Sequence, residues 1–138
     1  MSERVVVHQD KEFLTGFKAA DPEGADPGKL EDVVHLHQLT PHGLLLASIA
    51  ACTAIVLNSF SQHHDIPLEG VTVDCRFDRV FSDDCKDCDE NKQYEEIIKE
   101  KLTLEGDLDE KQQKQLLQVA KACSVRRMVE AGIRIESD

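Results

Sequence analysis

The sequence predicts an α+β fold in a single domain. β-forming stretches gather on either side of one long apolar segment instead of alternating regularly with helices, which argues against a doubly wound sheet. That segment, residues 44–57, is apolar or small on every side of a helix, so it reads as a central helix buried all round. At 138 residues the chain is long enough for one core and short enough to gain from oligomerisation.

The expected order is β-β-β-α-β-β-α-α-β. Residues 4–8 and 12–19 are rich in β-formers, and the Gln9-Asp10-Lys11 break between them makes a hairpin. Residues 20–31 contain Asp21-Pro22, Glu23-Gly24 and Asp26-Pro27-Gly28 and form an exposed loop. Residues 32–38 alternate as a third short strand with His35 and His37 on one solvated face. Thr40-Pro41 is a helix start, Thr as N-cap and Pro at the first helical position, where its missing N–H costs nothing. The helix runs to about His64, roughly 33 Å at 1.5 Å per residue, with His63-His64 placed to favour its C-terminal dipole.

Ile66-Pro67 ends that helix. A long strand follows, with Val71, Val73, Cys75 and Phe77 on one face. Residues 82–93 are a polar, acidic interruption, and the next strand covers about 94–105. Asp109-Glu-Lys-Gln112 is a capping box that opens a helix carrying Leu116, Leu117, Val119 and Ala120. Ser124 caps a further short helix, and Ile133 and Ile135 alternate as a final strand. The single domain, 1–138, thus divides into N-terminal strands (1–38), the central helix (40–65), a β-hairpin with an acidic CxxC insertion (69–106), and C-terminal helices with a strand (109–138).

Composition narrows the function. Five Phe, one Tyr and no Trp make the core aliphatic. The net charge of −11, from 27 acidic and 16 basic residues, repels phosphate backbones and anionic lipid. Neither nucleic acid nor a membrane is therefore an expected partner. The N-terminus lacks the charged-then-apolar layout of a signal peptide, and the apolar run is short for a bilayer span. Five cysteines, an odd number, argue against a closed disulfide framework and for a reducing cytoplasm.

The cysteines carry the chemistry. Cys52 sits inside the apolar helix, and Cys123 lies far downstream in Lys121-Ala-Cys-Ser-Val-Arg-Arg127. A buried helical cysteine is often only a small hydrophobe; with a distant partner thiol at a helix start, it points to thiol redox chemistry. Arg126 and Arg127 are candidate activating cations, or simple surface charges. Cys75 belongs to the core by its alternation. Cys85-Lys-Asp-Cys88 fits half a zinc site, a local disulfide or a redox pair, and zinc would need further ligands from elsewhere.

Four separated blocks carry a family resemblance: Leu39-Thr-Pro-x-x-Leu-Leu-Leu-Ala-Ser-Ile-Ala-Ala-Cys-Thr-Ala54, Pro67-Leu-Glu-Gly-Val71, Leu104-Glu-Gly-Asp-Leu108 and Lys121-x-Cys-Ser-Val-x-Arg127. In order and spacing they resemble the OsmC/Ohr family over about residues 39–136. The resemblance implies an intertwined α+β homodimer, with two long central helices packed between antiparallel sheets built from both chains. It also implies a peroxidase that needs no cofactor, with small hydrophobic hydroperoxides as substrates. Cys52 would be the peroxidatic thiol and Cys123 the resolving thiol, and an external dithiol would reduce their disulfide. The family places a Glu shortly after the helix-opening proline and an N-terminal Arg beside the thiol. This chain has Pro41-His42-Gly43 and only Arg4 there, so His42 is a candidate substitute, its imidazole titrating near neutrality. Two alternatives stay open: a non-peroxidase relative binding a small hydrophobic or thiol-reactive ligand at the dimer interface, and a metal-binding protein using Cys85 and Cys88.

Overall fold

The structure, a computed structural model, describes residues 3–21, 24, 26, 28–81 and 94–138. Its elements are β1 (Arg4–Asp10), β2 (Thr15–Ala20), β3 (Leu30–Asp32), a 3-10 turn (Leu36–Gln38), α1 (Pro41–His63), β4 (Leu68–Phe81), β5 (Tyr94–Gly106), α2 (Glu110–Ala120) and α3 (Ser124–Ala131). The strands make one antiparallel sheet in the order β3-β2-β1-β4-β5, and the α+β expectation holds.

Register decides what faces α1. Val5 pairs Cys75, Val7 pairs Val73, and on the other side Val73 pairs Leu102 and Cys75 pairs Glu100. Side chains alternate across a strand, so Val5, Val7, Val71, Val73 and Cys75 all point inward and are fully buried. Against them α1 packs Leu46, Ile49, Ala50, Ala54 and Leu57, and Leu116 and Ala120 of α2 close the core. Glu100 shares this inner face, a carboxylate where the pattern asks for an aliphatic side chain.

α1 starts as its sequence requires: Thr40 Oγ1 accepts the Gly43 N–H at 2.9 Å, and Pro41 is the first helical residue. A buried amide ladder pins it to the first hairpin, Asn58 Nδ2 donating to Gln9 Oε1 at 2.8 Å and Gln9 Nε2 donating to Thr15 Oγ1 at 2.9 Å. The hairpin turn falls at residues 11–14, later than the sequence suggested. Asp10 draws it there, its carboxylate accepting the N–H groups of Glu12 (2.8 Å) and Leu14 (3.0 Å).

Four expectations are corrected. The strand expected over 32–38 is limited to β3. The Gln38 side-chain oxygen takes the N–H groups of Val34 (2.7 Å) and His35 (2.8 Å), and this local closure competes with a sheet ladder. His35 and His37 consequently stack as rings 5.4 Å apart beside the 3-10 turn instead of sharing a strand face. The C-terminal strand does not form: after Gly132, whose φ of 85° stops α3, residues 133–138 pair with none of the described strands. Cys123, not Ser124, caps α3, its Sγ accepting the Arg126 N–H at 3.4 Å. Finally, α1 is buried on one side only within the chain. The sheet and α2 cover Leu46, Ala50, Thr53, Ala54 and Leu57, whereas Leu44, Leu45 and Ile55 stay exposed because a single sheet reaches only one face. By length and composition α1 could cross a membrane, but half of its most apolar stretch is buried in the fold, as in a core helix.

Candidate active site

Cys52 and Cys123 meet where the middle of α1 crosses the start of α3. The capping box Asp109–Gln112 fixes the start of α2 with bonds of 2.7 and 3.1 Å. α2 then packs on α1 through Leu116 and Ala120, and the chain turns at Lys121-Ala122 so that Cys123 arrives beneath α1. Cys123 is fully buried, its Sγ 3.9 Å from the Ile49 carbonyl oxygen, to which its S–H donates weakly. Cys52 is half-buried, and its Sγ lies 3.8 Å from Ser124 Oγ. Both thiols are free.

Their electrostatics differ in sign. Burial pushes the Cys52 thiol up, but hydrogen bonds from Cys123, from the Val125 N–H, and from the Ser124 hydroxyl and N–H outweigh it, and the net pKa is lowered. Burial and the hydrogen bond to Cys52 push Cys123 up, against the Arg126 N–H and the Thr53 hydroxyl. Of the two sulfurs, Cys52 is therefore the one that ionises more readily. Cys52 lies mid-helix and gains nothing from the ends of α1; the open N–H groups at the first turn of α3 supply that help from another element.

Of the other residues singled out in the sequence, Arg126 joins this site. Its side chain bridges Glu130 (Nε–Oε1, 2.8 Å) and Glu100 (Nη1–Oε1, 4.0 Å). Arg127 is exposed on α3 and touches neither thiol. His42 packs edge-on against Phe77, ring centroids 5.6 Å apart. Ten positions of helix put it about 15 Å from Cys52 along the axis, and the fold does not bring them together. Arg4 makes a two-pronged pair with Asp74 on the outer face of the sheet (3.0 and 2.8 Å), away from the thiols. Cys85 and Cys88 lie outside the described residues. Among the described residues, no group of three or more His, Cys, Asp or Glu is placed to hold a metal ion.

Two site residues escaped the sequence reading. Glu100 lies inward on β5, with Cys75 Sγ 4.0 Å from its Oε2. Burial raises its pKa, against Arg126 and the Thr53 hydroxyl. Its signal was parity: it falls in step with Ile98, Leu102 and Leu104 on the core face. Thr53, next to Cys52, is fully buried, and its Oγ1 makes no hydrogen bond of full geometry. Beside these residues a groove of about 760 Å3 opens between β5 and the helices, lined by Ile49, Glu100, Leu102, Ala120, Arg126 and Val129.

A single antiparallel sheet with a long helix on one face, and two free cysteines meeting where the middle of that helix crosses the start of another, define a class of small α+β proteins with a paired-cysteine site. Residues 34–138 match the family model described as OsmC-like protein, and the chain belongs to that family. An OsmC-like hydroperoxide resistance protein from Jannaschia sp. CCS1 shares the fold with a TM-score of 0.63 at 13% identity, over 97% of this chain and 90% of that one. The organic hydroperoxide resistance protein OhrB of Bacillus subtilis shares it with a TM-score of 0.50 at 14% identity, over 94% and 91%. No curated protein matches the chain.

Proposed function

We propose that this chain is a dithiol peroxidase acting on small hydrophobic hydroperoxides, as a homodimer and in a reducing compartment. The observation that carries the reading is the pairing of Cys52, its pKa lowered, with a protonated Cys123 far away in sequence. Membership of the OsmC-like family and the likeness in fold to two hydroperoxide resistance proteins support a peroxidase-like role.

The Cys52 thiolate attacks the outer oxygen of the hydroperoxide. The O–O bond breaks, the sulfur becomes a sulfenic acid, and the alkoxide leaves as the alcohol after taking one proton. The Cys123 sulfur then attacks the sulfenic sulfur, the S–S bond forms, and the hydroxyl leaves as water. An external dithiol returns both cysteines to thiols and carries away the two electrons. The groove beside the thiols offers Ile49, Ile98, Leu102 and Leu117 to a hydrocarbon tail among charged side chains that include Glu100 and Lys121, and Arg126 supplies a cation near the reacting sulfurs.

Hydroperoxide consumption with a dithiol reductant tests this directly. Cys52→Ser should abolish turnover, and Cys123→Ser should still consume one equivalent before stalling as the sulfenic acid. No consumption by the wild type, with the two thiols still oxidising to one disulfide, would replace this reading with that of a protein binding a small hydrophobic or thiol-reactive ligand.

A further inference from the structure

The outer face of the sheet carries a charge pattern opposite to that of the chain. Side chains alternate across a strand, so the parity that buries Val5, Val73 and Cys75 turns Arg4, Asp74, Arg76, Lys99 and Lys101 outward. No run of basic residues announces this group; register assembles it. Arg4 pairs Arg76, and Arg76 pairs Lys99. Three cations thus stand side by side across β1, β4 and β5, about 10 Å from end to end at the usual strand spacing. Lys101 lies one step along, diagonal to Arg76 and directly opposite Asp74. Like charges set opposite each other destabilise a sheet, so the row works against the fold and asks for an explanation. Two of the cations are neutralised: Asp74 accepts from Arg4 at 3.0 and 2.8 Å, and Lys99 Nζ lies 2.8 Å from Asp78. Arg76 and Lys101 are exposed and enter no ion pair among the described residues. A basin of about 620 Å3 holds all four cations and Asp74, and Gly28 joins it from the loop before β3.

We propose that this basin binds a compact polyanion, a small molecule carrying two neighbouring phosphate or carboxylate groups, with Arg76 and Lys101 as its main contacts. The Arg76 guanidinium presents a fork of N–H donors that matches the oxygens of either group. Lys101 adds a point charge on the next rung. The diagonal between their strand positions, about 7 Å, suits two linked oxyanion groups better than one. Arg4 and Lys99, each held by its own carboxylate, extend the positive field on both sides of Arg76. The patch is also bounded. Asp32, Asp78 and Glu105 flank it on the same face, so a long polyanion such as nucleic acid would run off the basin onto carboxylates. None of the described residues lining the basin is aromatic, which leaves a nucleobase nothing to stack on. The basin lies across the sheet from α1 and its Cys52, and the proposal stands apart from the peroxidase reading.

Isothermal titration calorimetry of the full chain with pyrophosphate and with citrate, at an ionic strength held constant with sodium chloride, tests this. At least one of the two should bind once per chain with a Kd below about 1 mM, and the tighter one identifies phosphate or carboxylate as the source. Inorganic phosphate and acetate, with one group each, should bind at least about tenfold more weakly. Arg76→Gln and Lys101→Gln should each weaken the binding by about tenfold, the loss of one charge-assisted contact. Lys114→Gln on α2 removes the same charge outside the basin and should leave binding within about twofold. Without the anion, Arg76→Gln should melt no lower than the wild type, because it breaks the row of like charges; this separates lost binding from lost folding. No saturable heat from either polyanion would overturn the proposal. So would an equal weakening in Lys114→Gln, which marks a general charge effect, or a duplex oligonucleotide that binds more tightly than both small anions.

Discussion

At the scale of single residues, the sheet's register explains why three nearby thiols differ. Cys75 alternates with Val73 and Phe77, and this spacing already marked it as core. The structure buries it fully and sets it against Glu100. Burial, then the charges of Glu100, Asp74 and Cys123, push its pKa up to about 12, against Arg126. An unfolded thiol ionises near 8.5, so the folded state keeps a proton that the unfolded state loses. Cys75 therefore leaves stability untouched below about pH 8.5, and stability falls by ~1.4 kcal/mol per pH unit from there towards the folded value. Urea denaturation of the wild type and of Cys75→Val should show a gap that moves in the variant's favour between roughly pH 9 and 11. A gap constant with pH would mean the thiol is not held neutral. Cys52 and Cys123 were legible as a pair from the sequence blocks around them. Glu100 was legible only in principle, because its partners come from three other elements and no local pattern announces them.

At the scale of elements, the sequence was readable where hydrogen bonds are local and misleading where two local options compete. Thr40-Pro41 and Asp109–Gln112 cap their helices as their residue types require. Residues 33–38 have a strand's alternation, but Val34 and Leu36 are about three-quarters exposed, because the Gln38 side chain satisfies the backbone before a ladder can. The β4–β5 pair depends on one position that composition does not reveal. Gly106 ends β5 at a φ of 135°, and a Cβ there would sit 2.3 Å from the Pro67 carbonyl oxygen. Any side chain must both adopt a disfavoured backbone conformation and push that carbonyl away. Gly106→Ala should cost roughly 2–4 kcal/mol in chemical denaturation. A loss below about 0.5 kcal/mol, the range of neutral surface changes, would show that the bulge at Leu68–Gly70 absorbs the methyl.

At the scale of the whole molecule, the chain leaves apolar surface uncovered that a monomer in water does not favour. Leu44, Leu45 and Ile55 form an exposed stripe along α1 on the side away from the sheet, beside half-buried Cys52. β5 is an edge strand of 13 residues, and long open edges invite pairing with another chain. The tail beyond Gly132 exposes Ile133 and Ile135 with strand-like alternation and no strand to join. The homodimer proposed above would answer all three at once, since two stripes can pack together and a tail can lie on the other chain's edge. It would also account for the mismatch between a helix apolar on every side and one buried on one side only. Light scattering at micromolar concentration should give twice the 15.5 kDa of one chain. Ile55→Asp would bury an unpaired carboxylate in that interface, so it should yield a monomer with a lower melting temperature and faster Cys52 alkylation. Because each chain carries a charge of −11, added salt should strengthen the dimer by screening repulsion, the opposite of an interface held by ion pairs. A wild-type monomer, or an Ile55→Asp protein that stays dimeric, would put the partner on another face and leave the exposed stripe to some other ligand.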